Sequence, residues 1–279
     1  MTRVAAVQLA PVLGDLGGNV DRLVAAVERE VAAGALLVVL PELATCGYVF
    51  ETVDEARAVA LDPADPLFDR VRVAAGDAVV VLGFAEAAGD VLHNSAAVVD
   101  ATGVRAVYRK VHLWDQEKRF FVPGAAAPPV VETPFGRVAV MICFDMVFPE
   151  WTRIAALAGA DLLAVPTNWP GGPAAAGQYP PEVQIGIGAA RVNKMAIVCA
   201  DRTGLERGVV WTEGTCVLDA EGGYLAAAGS GEGVARAELD LLASRDKRQA
   251  ELVDLFADNL RRFLDGRPLR NLYDPARGY

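Results

Sequence analysis

Residues 138–169, VAVMICFDMVFPEWTRIAALAGADLLAVPTNW, contain two short apolar runs separated by a helical pattern. The runs at 138–143 and 162–166 are continuous and apolar, which is typical of strands buried on both faces. The pattern between them, at 149–160, begins with proline and has glycine near its end, as helices commonly do. The first run ends at Cys143, so a thiol closes a buried strand. The rest of the chain has to show whether this thiol is core packing or a reactive group.

The same alternation recurs along the chain. Further buried strands are predicted at 4–10, 36–40, 78–86 and 196–200. Further helices are predicted at 19–35, with Asn19 as the N-cap, and at 180–194. Hairpin turns are predicted near 102–103 and 221–223, and residues 241–264 have a long amphipathic helical pattern. Helices that alternate with buried strands imply sheets covered on an outer face, so the sequence predicts one α/β domain with mixed strand pairing.

The composition argues against several classes of partner and cofactor. The chain has 279 residues, of which 53% are hydrophobic and 22% charged, as in a globular protein. Its net charge of −10 repels nucleic acid and anionic membranes, and no apolar run approaches the roughly 20 residues of a membrane span. Two histidines and four widely spaced cysteines do not fit a zinc or haem framework, so no metal or cofactor is predicted. So few cysteines suit a reducing compartment, and the expected location is cytoplasmic.

Three predicted strands end in chemically reactive side chains. Glu42 follows the run at 36–40, Lys110 follows a hairpin strand, and Cys143 ends its own run. In α/β sheets, ligands bind beyond the strand ends. A free thiol has a pKa of about 8.5, so at neutral pH it needs a base or a cation to react as a thiolate. A carboxylate could take the proton and an ammonium could stabilise the anion, which would make a Cys–Glu–Lys site in place of the commoner Cys–His.

Spacing by itself does not establish such a site. A cysteine that ends a strand is more often small core filler. A glutamate after a proline is commonly a solvated loop charge, and a lysine after a hairpin strand is commonly exposed. Asp145 is interpreted as a brace of its turn, and Cys46, Cys199 and Cys216 as packing. The choice therefore depends on the segments that surround these residues.

Those segments are more specific than the spacing. VVLPELATCGY, YRKVHLW with EKRFFVPG, and MICFDMVFPEW occur in that order. They resemble the three signature regions of the nitrilase superfamily, the carbon–nitrogen hydrolases, and in particular its aliphatic amidase-like branch. The resemblance extends to about Leu239 and implies the family's α/β fold, a four-layer α-β-β-α sandwich. It also implies a single domain over 1–264, a C-terminal tail at 265–279 that packs in an oligomer, and a homodimer or larger homo-oligomer.

The resemblance implies a role for each site residue. Glu42 corresponds to the general base, Lys110 to the oxyanion partner and Cys143 to the nucleophile. Glu117, in DQEKRFF, matches a second glutamate of the family that lies beside the other three and helps to position them. The backbone N–H of Phe144 is expected to donate to the oxyanion. Phe144 itself is a departure, because many members have Tyr or Trp there.

The substrate pocket is expected to include Tyr48, Asn168 and Trp169. A second departure lies on the helix before 196–200, where residues 189–193 read AARVN in place of the family's Arg-Ala-x-Glu-Asn. Contacts made by that arginine and glutamate are therefore not expected in this chain, although the three reactive residues are unaffected.

The implied function is hydrolysis of a carbon–nitrogen bond in a small-molecule amide, which gives a carboxylic acid and ammonia through a thioester on Cys143. A nitrilase and an N-carbamoyl amidohydrolase use the same residues, so both remain alternatives within the family. Outside enzymes, the alternative is a thiol-bearing binding protein. The product of the reaction would distinguish the first three: acid and ammonia from an amide, acid from a nitrile, or carbon dioxide from a carbamoyl compound.

The charge pattern predicts that the amide substrate is neutral. No Lys or Arg lies between Arg153 and Arg191, an interval that includes the pocket segment 166–186. Enzymes that hold a substrate carboxylate commonly use an arginine, whose planar fork matches it. A cation from another loop, such as Lys194 or Arg202, or from a partner subunit, would reverse this expectation.

Overall fold

Two six-stranded sheets form the centre of the first of two units in the chain, Met1–Arg245; the second unit is Asp246–Tyr279. The computed structural model describes residues 1–175, 177–241, 255, 258–268 and 270. No helix in this described part is both long and apolar enough to cross a membrane.

The first sheet has the strand order β14-β1-β2-β3-β4-β5. Its strands are β1 (Thr2–Gln8), β2 (Leu37–Val39), β3 (Val79–Ala88), β4 (Val91–Asp100), β5 (Gly103–Arg109) and β14 (Gly233–Leu239). β1, β2 and β3 are parallel, and the other neighbours pair antiparallel. The sheet therefore combines a parallel centre with antiparallel edges, which is the mixed pairing that the sequence predicts.

The second sheet has the order β13-β12-β9-β8-β7-β6. Its strands are β6 (Val130–Thr133), β7 (Gly136–Val140), β8 (Leu162–Pro166), β9 (Ala196–Ala200), β12 (Cys216–Leu218) and β13 (Tyr224–Ala227). β7, β8 and β9 are parallel. A separate two-stranded ribbon consists of β10 (Leu205–Glu206) and β11 (Val209–Val210).

Five α-helices lie in the described part of the first unit. They are α1 (Leu16–Ala32), α2 (Val53–Ala58), α3 (Leu67–Ala75), α4 (Pro149–Leu157) and α5 (Pro181–Asn193). α1 and α3 contact each other and the first sheet, whereas α4 and α5 contact each other and α5 contacts the second sheet. β1, β2 and β3 also contact β8 or β9, so the sheets face each other. The result is the four-layer α-β-β-α sandwich expected from the sequence.

Alternating burial explains why the central strands are continuous apolar runs. In β1, Val4 and Ala6 belong to the core between the sheets, whereas Ala5 and Val7 belong to the core beneath the helices. Successive side chains of a strand point to opposite faces. Because both faces of these strands are covered, every position is apolar. The predicted runs at 162–166 and 196–200 coincide with β8 and β9.

The first helix begins earlier than its sequence pattern predicts. Asp15, not Asn19, is the N-cap of α1, and its carboxylate accepts a hydrogen bond from the Gly18 N–H at 3.0 Å. The buried Asn19 side chain instead bonds the N–H and the carbonyl of Val12, each at 2.7 Å, and donates to the Thr45 carbonyl. The predicted cap was wrong because this side chain joins two loops across the helix start.

Other differences concern short elements and the C-terminal end. The sequence pattern did not predict β6, β14, α2 or α3. The helix predicted over 241–264 falls mostly outside the described residues. Of the residues in this range that are described, 255 and 258–264 are helical. The domain over 1–264 and the oligomer-packing tail at 265–279 stay predictions.

Candidate active site

Strand ends from both sheets carry the three predicted reactive residues. Glu42 lies three residues beyond β2 and Lys110 directly follows β5, both in the first sheet. Cys143 lies three residues beyond β7 of the second sheet and begins a 3-10 helix, Cys143–Val147. Glu42 and Lys110 are fully buried, and Cys143 is 5% exposed. The packing of sheet against sheet thus brings together residues that are distant in sequence.

One buried ammonium joins two carboxylates. The Lys110 Nζ lies 2.6 Å from Oε1 of Glu42 and 2.7 Å from Oε1 of Glu117. Asn94 donates to the same Glu42 oxygen at 2.7 Å, and the Tyr48 hydroxyl donates to the same Glu117 oxygen at 2.5 Å. Breaking a buried pair of this kind leaves an uncompensated charge and is strongly destabilising, so Lys110 holds both acids in place.

The shared charge shifts the acid–base behaviour of the cluster. Burial raises the pKa of Glu42 to about 7, although the Lys110 ammonium opposes this and Glu117 adds to it. Burial alone would lower the pKa of Lys110, but the charges of Glu117 and Glu42 outweigh it and hold that pKa well above its usual value. Near neutral pH, Glu42 is therefore poised between accepting and releasing a proton, which is the property of a general base.

The Glu42 carboxylate has one oxygen available for that proton. Among the described residues, Oε2 of Glu42 is buried with no hydrogen-bond partner. The carbonyl of Glu42 accepts from the Asn168 side chain at 2.8 Å, which fixes the backbone beneath the carboxylate. A buried polar atom without a partner is costly and calls for an explanation. This oxygen can therefore accept a proton.

The surroundings of Cys143 disfavour the thiolate. Burial raises the pKa of Cys143 well above its usual value, and the Glu42 charge adds to this. The Lys110 ammonium and a hydrogen bond from the Asn168 backbone act in the opposite direction. The protonated thiol is consequently the favoured form of Cys143.

The turn that presents Cys143 is strained and braced. Cys143 has φ +48°, a left-handed conformation that costs a non-glycine residue about 1–3 kcal/mol. Asp145 accepts hydrogen bonds from the Ile142 N–H at 3.2 Å, the His112 N–H at 2.9 Å and the Tyr108 hydroxyl at 2.8 Å. Asp145 therefore has the structural role that its interpretation as a brace expects.

A cavity of about 180 Å³ opens on the Cys143 side chain; we call it the Cys143 cavity. Its lining includes Cys143 and all the residues expected at the substrate pocket or the oxyanion site: Tyr48, Phe144, Asn168 and Trp169. Phe144 is the second residue of the 3-10 helix, and the first N–H groups of a helix have no acceptor within it. Its N–H is therefore suited to an oxyanion, as the resemblance implies.

Two acids that the sequence analysis did not predict accept hydrogen bonds from the backbone of the cavity wall. The Glu206 carboxylate accepts from the N–H groups of Tyr48 and Val49 at 2.8 and 2.7 Å, and the Asp201 carboxylate accepts from the Trp169 N–H at 3.0 Å. Burial raises the pKa of Asp201 to about 6. Asp201 directly follows β9, so the strand-end argument used for the reactive residues could have found it.

The two cations considered as partners for a substrate carboxylate are engaged elsewhere. Arg202 is buried, pairs with Glu206 at 2.9 Å and lies 4.4 Å from the ring centre of Trp211. Lys194 pairs with Glu221 at 2.6 Å. Neither residue lines the Cys143 cavity.

Gly83 of β3 permits the close approach of the segment that carries Glu42. A β-carbon at this position would lie 2.5 Å from the Cα of Glu42 and 2.5 Å from the Leu43 nitrogen. We expect Gly83→Ala to displace Glu42 and to lower kcat by about 100-fold, since misplacement by 1 Å can cost that much. The measurement is kcat together with the unfolding temperature.

Gly188→Ala is the matched control for this substitution. Gly188 lies in α5, and among the described residues an added β-carbon there meets no atom within 4 Å. This variant should keep wild-type kcat and gain about 0.5–1 kcal/mol of stability. If Gly83→Ala matched it in activity, the close packing on Glu42 would have no role in the rate.

Comparison with known proteins identifies the family of the chain. The family model "Carbon-nitrogen hydrolase" matches residues 3–249. A nitrilase from Pyrococcus abyssi is 38% identical over 262 residues, 92% of this chain and 97% of the relative. An N-carbamoylputrescine amidase from Solanum lycopersicum is 32% identical over 279 residues, 92% of this chain and 86% of the relative.

Solved structures give the same result. An amidase from Nesterenkonia sp. AN1 superposes with a TM-score of 0.74 at 27% identity, over 92% of this chain and all of that chain. In that structure acrylamide has added to the active-site cysteine. Fold and relatives together define a hydrolase that acts on carbon–nitrogen bonds, rather than a thiol-bearing binding protein. The chain belongs to the carbon–nitrogen hydrolase family, within the nitrilase superfamily.

Proposed function

We propose that the protein is an amidase that hydrolyses small uncharged amides to a carboxylic acid and ammonia through a thioester on Cys143. The observation that carries the proposal is the buried Glu42 carboxylate in the cluster beside the Cys143 thiol. One of its oxygens is bonded to Lys110, and the other has no partner among the residues that the structure describes. A base and a cation are thereby joined in one buried cluster, and the nucleophile beside it lines the cavity.

In the first half of the reaction, Oε2 of Glu42 takes the proton of the Cys143 thiol. The thiolate attacks the amide carbon, and the electron pair of the carbonyl moves to its oxygen. Lys110 and the Phe144 N–H hold this oxyanion, a kind of contact that typically lowers the barrier by about 3 kcal/mol. The carbonyl re-forms as the carbon–nitrogen bond breaks, and the leaving nitrogen takes from Glu42 the proton that came from the thiol, which gives ammonia.

In the second half, water replaces ammonia. Glu42 takes a proton from the water as its oxygen attacks the thioester carbon, which forms a second oxyanion at the same position. The carbon–sulfur bond breaks, the acid leaves, and the proton on Glu42 returns to Cys143. The chain's own residues move every proton and electron pair in this scheme.

The pH dependence should report the ionisation of Glu42. Glu42 accepts a proton only as the carboxylate, and burial raises the pKa of Glu42 to about 7. We therefore expect kcat/KM to fall as the pH drops below about 7, since kcat/KM follows the essential groups of the free enzyme. Rates measured between about pH 5 and pH 9 test this. A profile that is flat down to pH 5 would contradict the assignment of Glu42 as the base.

The cavity lining supports a neutral substrate over one with a carboxylate. Of the described residues that line the Cys143 cavity, Glu182 alone has a charged side chain, and it is acidic. An unpaired carboxylate in such a cavity costs several kcal/mol. We expect a neutral aliphatic amide to have a higher kcat/KM than the monoamide of the matching dicarboxylic acid. A tenfold preference for the monoamide, about 1.4 kcal/mol, would show that a cation has been overlooked.

The same glutamate favours a second candidate function, which is hydrolysis of an N-carbamoyl amine with an ammonium group at its other end. Glu182 has no hydrogen bond or ion pair within the described chain, so an ammonium at the cavity could pair with it. A relative that is 32% identical is named an N-carbamoylputrescine amidase. If this candidate is correct, Glu182→Gln should lower kcat/KM for the cationic compound and leave that for a neutral amide unchanged.

A product assay decides between the candidates. Amides, nitriles and N-carbamoyl amines are incubated with the wild-type protein, and ammonia, carboxylic acid and carbon dioxide are measured. Ammonia and acid in equal amounts from an amide support the amidase. Carbon dioxide from a carbamoyl compound at a much higher kcat/KM, or acid from a nitrile, would replace it with the corresponding alternative.

A further inference from the structure

We propose that a second, aromatic cavity beside the Cys143 cavity binds the hydrocarbon part of the amide substrate, and that its occupant is a phenyl ring attached through a short chain to the amide carbon. The inference rests on the proposed function, because it places the carbonyl of the same substrate at Cys143. It selects arylalkyl amides among the small uncharged amides.

The two cavities are adjacent. The second cavity, of about 180 Å³, shares three lining residues with the Cys143 cavity: Tyr48, Trp114 and Pro170. Glu117, which accepts from Tyr48 and Lys110, also lines it. A substrate with its carbonyl at Cys143 therefore has the second cavity within reach past Tyr48 and Trp114.

The walls of the aromatic cavity consist of buried rings that support one another. Phe50 makes edge-to-face contacts with Phe120 and Phe121, each with ring centres 6.2 Å apart, and Tyr48 makes one with Trp211 at 5.6 Å. The four residues other than Tyr48 are at most 8% exposed. Rings locked by their neighbours in this way form a preorganised surface, and aromatic partners prefer this edge-to-face arrangement.

Size and charge favour a phenyl group as the occupant. An apolar cavity of about 150 Å³ is enough to admit benzene, so about 180 Å³ accommodates a phenyl ring. The charged residues in the lining, Asp115 and Glu117, are both acidic, which disfavours an anion. Glu117 is already engaged by the Lys110 ammonium. An uncharged ring can lie on the aromatic walls without separating these groups.

Val209 and Val210 provide a matched pair of substitutions. They are neighbours on β11, and Val209 lines the aromatic cavity whereas Val210 does not and is 50% exposed. Val209→Trp adds an indole to the cavity, and Val210→Trp adds the same group outside it. The assay is kcat/KM for 3-phenylpropanamide and for propanamide with wild type and both variants.

The wild type should prefer 3-phenylpropanamide by about tenfold or more, Val209→Trp should reduce that ratio by at least about tenfold, and Val210→Trp should preserve it. If Val209→Trp lowers the unfolding temperature, Val209→Phe is used in its place with the same expectation. A wild type that hydrolyses propanamide without preferring the phenyl compound, or equal ratios in the two variants, would overturn the cavity assignment alone. No hydrolysis of either amide would overturn the proposed function and the cavity assignment with it.

Discussion

Cys143→Ala should abolish amide hydrolysis while the protein stays folded. The thiol sulfur is the atom that forms the proposed covalent bond, and no neighbouring group can replace it. We expect kcat to fall by a factor on the order of 10⁵ or more, as when the nucleophile of a catalytic unit is removed. Removing a sulfur from a strained turn should also leave the unfolding temperature close to wild type. Ammonia release and thermal unfolding are the two measurements.

Cys46→Ala is the control for this prediction. Cys46 is a fully buried free thiol four residues after Glu42, yet its sulfur contacts the Leu43 and Gly47 carbonyls and it does not line the Cys143 cavity. Its removal should therefore preserve turnover. Activity that survives in Cys143→Ala and disappears in Cys46→Ala would show that the nucleophile has been assigned to the wrong cysteine.

Glu42→Gln should lower kcat by about 10³-fold, within the range typical of general acid–base catalysis. Glutamine has nearly the same size, and its carbonyl oxygen can still accept from Lys110 and Asn94. It cannot take a proton from the thiol, so the chemical step is lost while the packing is kept. KM should change less than kcat. The decline below pH 7 should also disappear from the residual activity.

Glu30→Gln is the matched control. Glu30 is also fully buried and bonded to a cation, with Arg236 donating to it at 2.6 and 2.9 Å, but it belongs to α1 on the outer layer. This variant should lose stability and retain kcat. A near-normal rate in Glu42→Gln, or an equal loss of kcat in Glu30→Gln, would mean that Glu42 is not the base.

Local patterns predict the strand ends well because the two central sheets are covered on both faces. Full burial forces continuous apolar runs, and such a run can end at a reactive side chain only where the chain leaves the core. Glu42 and Cys143 follow such runs, whereas Lys110 follows the partly buried hairpin strand β5. The family resemblance is what singles out these three residues and adds Glu117. The sandwich then brings these residues together across both sheets.

Contacts between loops that are distant in sequence have no local sequence pattern that predicts them. Glu206 supports Tyr48 from 158 positions away, and no periodicity links the two. Asn94 lies inside β4 with the sequence LHNSA, where a polar residue indicates only a partner of unknown identity. The Asn19 side chain was expected to cap a helix and joins two loops instead. These interactions depend on tertiary packing, which a single sequence does not specify.

The proposed mechanism depends on a thioester on Cys143, and trapping this intermediate is the most direct test. Wild-type protein is mixed with a good amide substrate, quenched in acid within the first turnover and digested for peptide mass spectrometry. The peptide containing Cys143 is expected to gain the mass of the amide minus ammonia, and the gain should be absent from Cys143→Ala. Rapid turnover with no acyl group on Cys143, or with the acyl group on Cys46, would contradict the mechanism.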